Sequence, residues 1–61
     1  MNKEMMLMEL YQGLWLSADF ENDLAAEYPQ EFRYLKATPG KISTEKLRQM
    51  WAFLCSHPVF N

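Results

Sequence analysis

The stretch MMLMELYQGLWLSA, Met5 to Ala18, decides how this chain folds. At 100° per residue it gathers Leu7, Leu10, Tyr11, Leu14, Trp15, Met8 and Ala18 within an arc of about 160°, which predicts an amphipathic helix with that arc turned toward a core. Met5, Met6 and Leu16 fall outside the arc, among Glu9, Gln12, Gly13 and Ser17. Three large apolar groups are thereby predicted on the side that should be wet. A frayed first turn or an unusually buried helix accounts for them structurally. A second contact surface accounts for them functionally, and the flexible thioether of methionine suits irregular partners.

Downstream, Ser17 or Asp19 is placed to cap a second short helix, with Asp19, Glu21 and Asp23 near its positive end and a finish near Glu27. Pro29 restricts Tyr28 away from helical geometry yet is itself well suited to a first helical position, so a third segment is predicted from there to about Lys36. Phe20, Leu24, Phe32 and Leu35 supply its inward contacts and those of the second helix. Thr38-Pro39-Gly40-Lys41 reads as a type II turn, Gly40 taking the positive φ, and Ser43 or Thr44 then caps a last helix. In that helix Leu47, Met50, Trp51, Leu54 and Cys55 repeat at three and four, while Phe53 points away beside Lys46 and Gln49. His57-Pro58 ends it, and Val59 and Phe60 are expected to fold back over the bundle. The expectation is an all-α protein, a compact bundle of three to four short helices forming a single domain over residues 1–61. A β-hairpin over residues 33–43 around Pro39-Gly40 is the minor alternative.

A chain of 61 residues buries only about 60% of the surface its unfolded form exposes, so its aromatics must contribute heavily. Nine of them, 15% of the chain, argue for a folded domain rather than disorder. Cys55 is the single cysteine, which excludes an intramolecular disulfide and fits a reducing cytoplasm. The apolar run from Met5 to Leu16 is too short and too polar to span a bilayer. It is a poor signal peptide as well, since Lys3 is followed by Glu4 and no small-residue cleavage site closes the run.

Charge is sorted along the chain. Seven acidic residues (Glu4, Glu9, Asp19, Glu21, Asp23, Glu27, Glu31) precede Arg33 with no Lys or Arg among them, and Arg33, Lys36, Lys41, Lys46 and Arg48 follow against Glu45 alone. The net charge of -2 conceals this polarity, which bears on partners and not on fold.

The chemistry-bearing residues are few. Cys55 and His57 are two apart, and neighbours two apart on a helix point to different sides, so a nucleophilic couple is not expected. One His and one Cys fall short of a structural zinc set, and Asp19, Glu21 and Asp23 lack the glycine and glutamate that complete a calcium loop. No cofactor is expected. Asp19, Asp23, Glu27 and Glu31, spaced by four, would form a carboxylate ridge about 6 Å between groups on one continuous helix, the physical basis for a nucleic-acid mimic that blocks a DNA-binding enzyme. The basic second half suggests a small DNA-binding regulator instead. Asp23 to Glu27 resembles the opening of a helix-turn-helix, but the glycine-containing turn is missing and Pro29 arrives too early.

The leading expectation is a non-enzymatic protein-interaction module, an adaptor or inhibitor docking on a larger macromolecule. Its partner would be another protein, or itself as a homo-oligomer, with no membrane and with nucleic acid as the lesser alternative. Met5, Met6, Leu16 and Phe53 are the candidate contacts, and Asp19, Asp23 and Glu27 would orient the encounter.

Overall fold

Three residues punctuate the chain. Asn2 caps the first helix, its side-chain oxygen accepting from the Met5 amide at 2.8 Å, and Ser17 does the same for the second from Phe20 at 3.0 Å. Ser43 caps the last, accepting from Lys46 at 3.1 Å. In the computed structural model, which describes residues 2–58, the elements are α1 (Lys3–Leu16), α2 (Ala18–Glu27), α3 (Pro29–Ala37), one 3-10 turn (Pro39–Lys41) and α4 (Thr44–Ser56). The protein is all-α, and among the described residues it has four α-helices and no strand.

Single residues join the first three helices. Ser17 is at once the last cap of α1, its amide donating to the Gly13 carbonyl at 3.0 Å, and the first cap of α2. Tyr28 plays the same double part between α2 and α3, because Pro29 drives it to φ -131°, ψ 65°, outside helical geometry. Links this short leave each helix little choice but to fold back on its neighbour. The radius of gyration, 10.3 Å, is close to the roughly 10.5 Å expected for a packed chain of this length.

Every element contributes to one core: Met6 and Leu10 from α1, Phe20 and Leu24 from α2, Leu35 from α3, Ile42 after the 3-10 turn, and Leu47, Met50 and Leu54 from α4. Leu7, Leu14, Tyr28, Phe32, Tyr34, Trp51 and Phe53 pack half-buried around it.

Several sequence expectations are corrected here. The buried ridge of α1 is Met6, Leu10 and Gly13, centred about 110° around the helix from the predicted arc, and Met8, Tyr11, Trp15 and Ala18 are exposed. The reason is Gly13, placed on the wet side by the helical wheel. A Cβ there would lie 2.6 Å from Leu54 Cδ1 and 3.1 Å from the Phe20 ring, so the missing side chain is what lets α4 and α2 approach α1 closely. Met6 is buried for the same reason, being on that ridge. Cys55, expected in the core, is exposed, and Phe53, expected outside it, is half-buried against Phe20, Tyr28 and His57 at ring-centroid distances near 6 Å. The face of α4 is therefore turned toward the α2 side. The type II turn does not form: no glycine has positive φ, and the Ile42 amide closes a 3-10 turn onto the Pro39 carbonyl at 3.1 Å. That turn and α3 together remove the β-hairpin alternative. Val59 and Phe60 lie outside the described residues.

Candidate interaction surface

α1 carries two apolar faces back to back. Met6, Leu7, Leu10, Gly13 and Leu14 occupy about 120° of its circumference and meet the core. Tyr11, Trp15, Met8, Gln12, Met5 and Leu16 occupy about 140° on the opposite side, where Glu4 in the first turn and Gln12 are the polar members. Trp15 is 90% exposed, Leu16 69%, Met8 59%, Met5 49% and Tyr11 40%. An exposed tryptophan flanked by four other large apolar groups is unlike the scattered single exposures that any protein surface shows.

Hydrogen bonds anchor both flanks of this face to the bundle. On one side the Tyr11 hydroxyl donates to the Leu35 carbonyl of α3 at 2.6 Å. On the other, Glu9 accepts from Trp51 Nε1 of α4 at 2.5 Å. Both bonds join residues far apart in sequence, so the face is displayed on a helix that cannot roll without breaking them. Beside Trp51, an open cleft of about 260 Å³ is lined by Met6, Arg48, Trp51 and Ala52. A second, of about 350 Å³, opens along Gln12, Trp15 and Leu16 on the outward face itself.

The sequence-derived contact residues are thus divided. Met5 and Leu16 are on the outward face, Met6 is in the core, and Phe53 packs between α4 and the aromatic cluster. Asp19, Asp23 and Glu27 are exposed along α2. Glu31 belongs to α3, beyond the break at Tyr28, so the four-carboxylate ridge is not one continuous helix. Asp23 is engaged as well, accepting from His57 Nε2 at 2.9 Å; a carboxylate only accepts, which fixes the donating nitrogen. His57 Nδ1 is buried without a partner, and its ring lies edge-on to Phe20 at 5.3 Å.

The acidic front and basic back of the sequence also meet. Lys36 pairs with Glu21 at 3.1 Å and lies over the Phe32 ring at 5.0 Å, while Lys41 and Lys46 lie over Tyr34 and Tyr28, both at 5.8 Å. Three of the basic side chains are thus laid along aromatic rings of this same molecule. Among the described residues no three of His, Cys, Asp and Glu are grouped to hold a metal, and no helix is long and apolar enough to cross a membrane.

Compared with family models, with curated proteins and with solved structures, the chain finds no match.

What the surface can bind follows from its own chemistry. The sequence did not single out Met8, Tyr11 and Trp15 for the outward face. The legible signal was there: a helix with bulky apolar residues on every side has no unique inward direction, and the one glycine among them marks where a neighbour comes close.

Proposed function

We propose that this protein is a non-enzymatic interaction module, an adaptor or inhibitor, which docks on another protein surface through the outward face of α1. The supporting observation is the run Met5, Met8, Tyr11, Trp15 and Leu16, five large apolar side chains left exposed on one side of a helix whose other side already fills the core. Solvent-exposed tryptophan within an apolar patch is the residue type that contributes most when an interface closes over it. The thioethers of Met5 and Met8 conform to the opposing surface. Asp19 and Glu27 on α2 add attraction toward a basic surface during the approach. An exposed free thiol at Cys55 is compatible with a reducing, cytoplasmic setting.

The test is covalent capture in the cells that make the protein, with the photo-crosslinker p-benzoylphenylalanine in place of Trp15 and, as control, in place of exposed Gln49. A discrete adduct to one protein species from position 15, absent from position 49, is the expected result. Absence of any adduct specific to position 15 would overturn the docking role.

A further inference from the structure

The outward face of α1 is chemically two-ended. Its N-terminal half presents the thioethers Met5 and Met8, and its C-terminal half presents the indole of Trp15 and the isobutyl group of Leu16. Its charge is two-ended in the same sense: Glu4 within the face and Glu9 on its flank belong to the first half, and residues 10–16 carry none. Spacing adds a third asymmetry, because Met5, Met8, Gln12 and Trp15 alternate by three and four, the seam of two helices packing along their length.

Resting on the docking role just proposed, we propose that the occupant of this face is a second copy of the same chain, the two α1 helices packing antiparallel about a two-fold axis near residue 10. That operation superposes each half of the face on the other half of its mate. Trp15 of one copy meets Met5 of the other, and Gln12 meets Met8, giving the sulfur-aromatic contact that thioethers and indoles favour. A two-fold contact needs a self-complementary patch, and a thioether end joined to an indole end is one. A parallel pairing would instead stack thioether on thioether and bring both acidic halves together. Antiparallel pairing keeps the two Glu4 side chains at opposite ends of the seam and opposes the helix dipoles favourably.

Area is consistent with this occupant. The five exposed residues present on the order of 600 Å² per copy, so two copies would bury about 1,200 Å², the lower end of specific interfaces. The flanking bonds Tyr11 to Leu35 and Trp51 to Glu9 hold the helix rigid before pairing, which reduces what must be ordered on association.

Sedimentation equilibrium of the full chain from micromolar to millimolar concentration should show the mass rising from 7.3 kDa to twice that value. Trp15→Glu should remain at the single-chain mass while keeping the helical circular dichroism of the parent, because position 15 is 90% exposed. Orientation is read in a Cys55→Ser background, where chains bearing Met8→Cys and chains bearing Gln12→Cys, mixed and oxidised, should form the mixed disulfide, and Met5→Cys chains alone should not. A wild-type chain that stays at 7.3 kDa throughout would overturn the pairing, and efficient Met5→Cys self-crosslinking would overturn its antiparallel sense. The photo-crosslinking at position 15 separates the two proposals: an adduct of twice the chain mass supports self-pairing and overturns docking of this face on a different protein, an adduct to a different protein overturns self-pairing alone, and none overturns both.

Discussion

Gly13→Ala puts the close approach of α1 to α4 and α2 to a test in which the sign of the effect is the readout. Inside an exposed helix this substitution gains about 1 kcal/mol of helical propensity. Here the new Cβ would lie 2.6 Å from Leu54 Cδ1 and 3.1 Å and 3.2 Å from two atoms of the Phe20 ring. Ordinary carbon contacts are about 3.5–4.0 Å, so Leu54 has to withdraw by roughly 1 Å. It is 1% exposed and Phe20 is fully buried, so either shift has to be taken up by the surrounding core. Overpacking of this kind costs about 1–3 kcal/mol, and after the propensity gain a net loss of about 1 kcal/mol remains. In a domain of this size that lowers the melting temperature by about 4–8 °C. Leu54→Val removes Cδ1 at a cost of about 1 kcal/mol of its own, and in that background the main clash is gone. Gly13→Ala should then be neutral or stabilising. Thermal and urea unfolding followed by far-ultraviolet circular dichroism on the four variants gives both effects and their coupling. If Gly13→Ala raised stability equally in the two backgrounds, close approach at Gly13 would not be what orients α1.

Two further outcomes follow from individual side chains. Trp51→Phe removes the donor to Glu9 and should lower stability by about 1.5–3 kcal/mol, a penalty that shrinks when Glu9 is already Gln; equal penalties in the two backgrounds would show that ring volume and not the hydrogen bond is lost. Cys55 is exposed, so a disulfide reagent such as dithionitrobenzoate should label it in the folded protein at the rate of a free thiol; labelling limited by global unfolding would place it in the core instead.

Much of this molecule was legible in one dimension because its boundaries are set by local chemistry. Ser17 and Ser43 cap because a side-chain oxygen can reach an amide three residues on, and Pro29 opens α3 because it lacks an amide hydrogen that a first turn does not use. Those interactions need no distant partner, so the helices and their limits are properties of the sequence by itself, as is the surplus of apolar side chains in residues 5–16. Which of those side chains is hidden was decided only in three dimensions. Met6 and Trp15 are equally apolar on a wheel, yet one is buried and the other 90% exposed, because the direction α1 faces depends on Leu54 and Phe20 closing over Gly13. The latches of Tyr11 to Leu35 and Trp51 to Glu9, and the pairing of His57 with Asp23, join residues 24, 42 and 34 positions apart. Periodicity reports only neighbours within a turn or two, whereas the choice between two apolar faces of one helix is made by whichever offers the closer fit to the rest of the chain.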